Sequence, residues 1–291
     1  YLFETNLVKK DLSSLKEIYC LSAGMIYILP LLLGMSFENT TEFFLKLDER
    51  NITPIESLSI HSLFETYGLF NNDYFPHCFK HILRYLEKGP DMTLKQLHDI
   101  KPIKLIVKIV NISTNISLLV DYETHPDLKL RTLLQMTTCI PLYFESIQYK
   151  GEYYVDGGLT GRITGDDVPS ENYLSIYNTY PENPPKNLMD YFLNIIYIAV
   201  ERDVSIKKRE LKLIHTKHTP LDFEMGIKGK QDLIQQGYDQ IKEKFSKLSD
   251  KIPSVHPNHK PHQIAQKNSS EIVSHKWKSI VYHYLVSKTH P

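Results

Sequence analysis

The chain has 291 residues, of which 42% are apolar and 23% charged, and its 34 basic side chains balance 34 acidic ones. This composition excludes a disordered chain, and the absence of net charge excludes the strong basic field of a dedicated nucleic-acid binder. The most apolar stretch, Met25 to Leu33, is broken by Pro30 and falls short of the roughly 20 residues that span a membrane. The three scattered cysteines are too few for a disulfide scaffold and point to a reducing compartment, the cytoplasm.

In chain order, Phe3 to Ser13 reads as the end of a helix and a short connection, and Leu15 to Leu21 (LKEIYCL) as a strand. Ser22-Ala23-Gly24 is a joint of small residues. Behind it, MIYILPLLLGMS is apolar on every side, as a helix buried in a layered fold would be, with Pro30 expected to kink it. Ser36, Glu38 and Asn39 open another helix that runs to about Leu47. Ile55 to Lys88 reads as an irregular helical excursion with a helix from Tyr74 to Glu87. A helical turn at Thr93 to Leu97 precedes Ile103 to Val110 (IKLIVKIV), a β-branched core strand with Ile116 to Val120 as its hairpin partner. Leu128 to Thr138 is helical. Leu142 to Ile147 and Glu152 to Val155 flank the hairpin signal Tyr149-Lys150-Gly151. There follow a strand at Asn172 to Tyr177, an apolar helix at Asn187 to Glu201, a strand at Glu210 to His215 and a charged helix at Lys230 to Leu248. Ile252 to His262, with Pro253, Pro257 and Pro261, is a loop, and Ser270 to Ser287 reads as a final amphipathic helix. Strands alternating with helices predict an α/β fold with a mainly parallel sheet. Residues 1–250 form its domain, and 251–291 add the Pro- and His-containing loop and C-terminal helix.

Two short motifs carry chemistry. Cys20-Leu21-Ser22-Ala23-Gly24 is a variant of Gly-x-Ser-x-Gly, in which a serine on a tight strand-to-helix turn stands clear of the sheet and the helix N-terminus favours developing negative charge. The plain alternative is a serine that caps the helix behind it. Tyr153 to Leu159 (YYVDGGL) places Asp156 at a strand end before Gly157 and Gly158; the plain alternative is an Asp-Gly turn.

Together with LKEIYCLSAGMIYILPLLLGMS, FFLKLDERNI, DMTLKQLHDIKPIKLIVKIVNIST and LKLRTLLQMTTCIPLYFESIQYKGEYYVDGGL, these motifs resemble patatin-like phospholipases from Tyr1 to about Gly161, and more loosely through DLIQQGYDQIKEKF. The resemblance implies a three-layer α/β/α sandwich and an acyl hydrolase of phospholipids or other acyl lipids, with no metal or organic cofactor. It implies Ser22 as nucleophile, Asp156 as general base, and an elbow in which Ala23 and Gly24 help to hold the oxyanion. The rival readings are a catalytically silent fold that binds lipid or a partner, and an α/β hydrolase with a Ser-Asp-His triad. Oligomeric state stays open.

Three positions depart from the family pattern. Cys20 stands where the family has Gly; Leu159-Thr160-Gly161-Arg162 replaces an Asn and Pro after Asp-Gly-Gly; and no Gly-rich loop precedes the elbow. Tyr1 to Leu12 resembles the helix after that loop. The chain is therefore expected to hydrolyse esters poorly and to leave the sheet edge beside the elbow strand without its partner. Cys139-Ile140-Pro141 reads as structural. His77 and His81 have ligand spacing on a helix but lack an acidic partner, and His256, His259 and His262 lie in the Pro-rich loop; all read as solvated or packed. Val273, Trp277, Ile280, Val281 and Tyr284 share one face of the expected C-terminal helix, with Lys276 and Lys278 on others, a profile for peripheral membrane contact or for packing on the domain.

Overall fold

A computed structural model describes residues 1–53, 58–163, 167–169, 173–179, 184–185, 190–192, 194–195, 210–214, 225–249 and 279–283. Strand β1 (Glu17–Leu21) leads into α1 (Ala23–Leu32), α2 (Phe37–Lys46), α3 (Ile60–Glu65), β2 (Gly68–Phe70), α4 (Tyr74–Tyr85) and α5 (Leu94–Ile100). Then follow β3 (Lys104–Asn111), β4 (Ile116–Val120), α6 (Leu130–Thr138), β5 (Leu142–Phe144), β6 (Ile147–Tyr149) and β7 (Glu152–Asp156). The last are β8 (Tyr173–Thr179), β9 (Glu210–Ile214), α7 (Ile227–Ser249) and β10 (Ser279–His283).

These elements form the expected three-layer α/β/α arrangement, a mainly parallel sheet with helices on both sides. Among the described residues eight strands join it: β9, β8, β10, β1 and β3 run parallel, and β4, β7 and β6 are antiparallel additions. β1 is apolar on both faces because both are covered. Ile18 and Cys20 enter the large core with α1, α4, α5 and α6, while Tyr19 and Leu21 pack on the other face with Ile106, Ile163, Val168 and Tyr173. In β3, Leu105, Val107 and Ile109 face the large core. On the opposite face Lys108 stands between Ile106 and Val110 and is nevertheless buried.

The pairing of β3 positions the site. β4 takes one of its edges over Val107 to Asn111. β1 and β7 must therefore share the other edge. β1 pairs in parallel up to Leu21 opposite Lys108, and β7 comes antiparallel from the far end, with Asp156 opposite Ile109. The two C-terminal tips meet head-on at adjacent residues of β3. β7 reaches this place through the β6–β7 hairpin, whose turn residues Lys150 and Gly151 have φ of 51° and 84°, the left-handed pair that a tight two-residue turn needs.

Three expectations are corrected. Residues 3–13 are not the end of a helix but a run of turns, with Asn6 and Leu12 at φ of 56° and 61°. Val8 and Leu12 are buried four residues apart, which mimics a helical period, but the turns between them do not form a helix. β2, expected to belong to a helical excursion, pairs with β5, and Gly68 lies so close to the Phe144–Glu145 main chain that a Cβ there would come within 2.1 Å of it. Most consequential, Ser279–His283 is not helical. It is β10, parallel to β1 on one side and β8 on the other. Ile280, Val281 and Tyr282 suit a strand, and a central position gives their backbone groups partners on both sides. β10 also pairs the edge of β1 that was expected to be bare, and it joins residues beyond 250 to the same sheet as the rest. Of the helix expected at Asn187 to Glu201, residues 190–192 and 194–195 are helical; its remainder, the loop at 252–262, and Val273, Trp277 and Tyr284 lie outside the described residues. No helix among the described residues is long and apolar enough to cross a membrane.

Amide hydrogen exchange should find the Ser279–His283 peptide protected to the same degree as the Glu17–Leu21 peptide, since both are then central strands. Exchange of 279–283 at unprotected rates would remove β10 from the sheet.

Candidate active site

Ser22 sits between the end of β1 and the start of α1, at φ 53° and ψ −129°. This lies outside the allowed regions for a side-chain-bearing residue, a conformation that costs about 1–3 kcal/mol and is found where the surroundings enforce it. Here the all-apolar α1 enforces it. Its residues Met25, Ile28, Leu29 and Leu32 are buried against β1 and α6, so the chain must turn from strand to helix within one residue. The Ser22 side chain makes no capping bond to the helix. Instead Ser22 Oγ donates to Asp156 Oδ2 at 2.5 Å, although 134 residues separate the two. The second carboxylate oxygen, Oδ1, accepts the Gly158 N–H at 2.7 Å.

Both main chains are held from the C-terminus of α6. Thr137 Oγ1 accepts the Ser22 N–H at 2.9 Å and donates to the Lys108 carbonyl at 3.0 Å. The Cys139 carbonyl accepts the Asp156 N–H at 2.8 Å. Gly157 is required by space: a Cβ there would stand 2.4 Å from the Lys108 oxygen. Gly157–Thr160 forms a 3₁₀ turn closed by Gly161 at φ 87°, and Lys108 Nζ donates to the Gly161 carbonyl at 2.9 Å and the Thr160 carbonyl at 3.4 Å. Ala23 and Gly24 occupy the first turn of α1, where main-chain N–H groups have no intrahelical acceptor and the helix dipole is positive.

Asp156 is buried, and loss of solvation drives its carboxyl up to about 7, well above the ordinary 3.8. The Ser22 and Gly158 hydrogen bonds and the Lys108 charge act in the opposite direction. Burial also pushes the thiols of Cys20 and Cys139 up, which leaves both protonated and unreactive.

Comparison with known sequences adds that the model of the patatin-like phospholipase family matches residues 16–164, just over half of the chain. The chain belongs to that family. It is 26% identical over 157 residues to the probable lipid hydrolase 463L of Invertebrate iridescent virus 6, covering 53% of each chain. It is 21% identical over 257 residues to the uncharacterized protein R571 of Acanthamoeba polyphaga mimivirus, covering 82% of this chain and 85% of that one. The fold is similar to that of VipD from Legionella pneumophila, with a TM-score of 0.57 at 11% identity, over 94% of this chain and 71% of the other.

The departures from the patatin pattern now have positions. Cys20 is an ordinary β1 residue paired with Val107 and Tyr282, and its small side chain enters the core. The left-handed angle falls on Ser22 and not on Cys20, so no glycine is needed there. His77 and His81 lie exposed on α4 with their Nε2 atoms 3.1 Å apart, and among the described residues no three His, Cys, Asp or Glu side chains gather as a metal group. His256, His259 and His262 lie outside the described residues. Sequence reasoning missed Thr137 and Lys108. The signal for Lys108 was a second cation, after Lys104, in the middle of the apolar run IKLIVKIV; Thr137 had only its place in a polar pair at a helix end.

Stability should depend on pH through the raised carboxyl. The unfolded chain releases the Asp156 proton near 4 and the folded chain near 7. Stability from the neutral carboxyl is therefore complete below about 4 and is lost as pH rises through 7. Asp156→Asn, which never ionises, should gain stability relative to wild type from pH 5 to pH 7, by about 1.4 kcal/mol for each step of one in pH, and the gain should level off above 7. Denaturant melts across that range check it; a pH-independent difference would contradict the raised carboxyl.

Proposed function

We propose that the protein is a lipid acyl hydrolase that cleaves fatty-acyl esters of phospholipids or related lipids through Ser22 and Asp156. The observation that carries this reading is the 2.5 Å hydrogen bond from Ser22 Oγ to Asp156 Oδ2 at a serine held in a strained turn. Family membership and the name of the iridescent-virus relative support lipid esters as the substrate class.

Ser22 Oγ attacks the ester carbonyl carbon while Asp156 Oδ2 takes its proton. Negative charge collects on the former carbonyl oxygen, toward the first-turn N–H groups of Ala23 and Gly24. Collapse of this intermediate breaks the bond to the alcohol, which leaves with the proton from Asp156, and the acyl group stays on Ser22. Water then attacks the acyl-enzyme, gives its proton to Asp156, and the fatty acid departs as Ser22 recovers its own. The Gly158 N–H on Oδ1 orients the carboxylate, so that Oδ2 faces the serine throughout. A Ser-Asp-His triad has no support: among the described residues the hydrogen bonds to the Asp156 carboxylate come from Ser22 and Gly158, and none from a histidine. The three free cysteines fit a reducing compartment, and we place the enzyme in the cytoplasm, meeting its substrate at membrane surfaces.

Ser22→Ala in the full-length protein should lower hydrolysis of a p-nitrophenyl ester by about 10⁴-fold or more without changing the circular dichroism. Because the base must be ionised, wild-type kcat/KM should fall about tenfold for each step of one in pH below about 7. Full activity in Ser22→Ala would overturn the assignment. A correctly folded wild type inert toward every acyl ester would favour the silent, lipid-binding alternative.

A further inference from the structure

Lys108 is a buried cation, 6% exposed, in a run of β-branched residues where an apolar side chain would be expected. Burying an ammonium is costly unless something at the site uses it. Its ammonium donates to neutral carbonyls, those of Gly161 and Thr160, and among the described residues no carboxylate stands close enough to form a contact ion pair with it. The negative charges that act on it are those of Asp156 and Asp167, at longer range.

Its place in the sheet is specific. Lys108 pairs with Leu21, the residue before Ser22, and precedes Ile109, which pairs with Asp156. Its carbonyl anchors Thr137, which holds the Ser22 N–H. Its main chain and Cγ press against Gly157, within 3 Å of where a Cβ would stand. Its Nζ fastens the end of the turn that aims the Gly158 N–H at Asp156. One residue thus touches every segment that carries the serine and the carboxylate, and its main-chain roles would survive any side-chain replacement. What the lysine side chain adds is the charge and the grip on Thr160–Gly161.

We propose that Lys108 is a positioning residue for hydrolysis: its ammonium is the counter-charge that keeps Asp156 able to accept the Ser22 proton, while its hydrogen bonds hold the Asp-Gly-Gly turn in place. The inference rests on Asp156 acting as the base. The groups facing that carboxylate are Ser22, the Gly158 N–H, Lys108 and the protonated thiol of Cys139, so Lys108 is the cation among them. The Asp167 charge also acts on Lys108. Desolvation lowers the Lys108 pKa from that of free lysine, and the two aspartates counter that effect.

The test is the pH profile of kcat/KM for Lys108→Met, Lys108→Gln and Lys108→Arg, with Ser22→Ala, Asp156→Asn and thermal melts run beside them. Removing the charge should move the acid limb to higher pH by about one or more, so that the rate at a fixed pH below the midpoint falls at least tenfold. Lys108→Arg should restore the midpoint even where its kcat stays low, because its guanidinium keeps the charge and not the shape. The melting temperature of Lys108→Met should not fall, since replacing a buried charge by an apolar side chain of similar length is commonly neutral or stabilising. A wild-type midpoint in Lys108→Met, or an equal displacement in Lys108→Arg, would overturn the proposal. So would failure of both Met and Gln variants to fold while Arg folds, which would make the charge purely structural. If Asp156→Asn keeps full activity, the dyad itself fails; if Asp156→Asn is inactive while the Lys108→Met midpoint stays put, the role of Lys108 alone is lost.

Discussion

One edge of β3 is shared by two strands arriving from opposite ends, and the candidate site exists where their tips meet. β4 occupies the other edge, so β1 and β7 are confined to a single line, with Leu21 opposite Lys108 and Asp156 opposite Ile109. Neither a longer β1 nor a longer β7 could be accommodated. Ser22 has to leave the line at once, and α1, too apolar to lie anywhere but in the core, sets the direction. The strained angle at Ser22 and the short bond to Asp156 both follow from that crowding. The C-terminus of α6 closes the junction from below, with Thr137 on one strand end and Cys139 on the other.

The same burial that supports the chemistry works against stability. A carboxylate out of water and a serine at φ 53° are each unfavourable, and both are offset by the apolar core beneath the sheet. In the proposed mechanism this leaves Asp156 poised: its carboxyl is raised to near 7, which suits a group that takes a proton from a hydroxyl and returns it to a leaving alcohol. Lys108 and the Gly158 N–H limit how far burial can raise it. A wholly apolar pocket would hold the carboxyl neutral and idle; a wholly solvated one would make it a weak base.

Much of this is legible in the sequence, and the reasons are specific. The β1–α1 joint is readable because a β-branched and aromatic strand, three small residues and an all-round apolar helix leave few alternatives. Asp156 is readable because Asp-Gly-Gly at a strand end follows a hairpin turn. The resemblance to patatins links the two, something spacing alone cannot do across 134 residues. What sequence reasoning misses depends on tertiary partners. Val273, Trp277, Ile280, Val281 and Tyr284 recur at helical spacing, which favours an amphipathic helix, yet the open place between β1 and β8 makes Ser279–His283 a strand. Cys20 reads as a missing glycine, whereas the angle that would suit a glycine belongs to the next residue but one. Lys108 gives no sign of its partners until the loop at Gly161 folds back over it.

The claim on which the rest depends is that Asp156 activates Ser22. The most direct measurement is the rate at which a fluorophosphonate labels the full-length protein as a function of pH, with the adduct located by peptide mapping, in wild type and Asp156→Asn. A single adduct on Ser22 is expected, with a rate that climbs through about pH 7 and then levels in wild type, and that is slow and flat in Asp156→Asn. An adduct on another residue, or equal labelling of Ser22 in the two proteins, would contradict it.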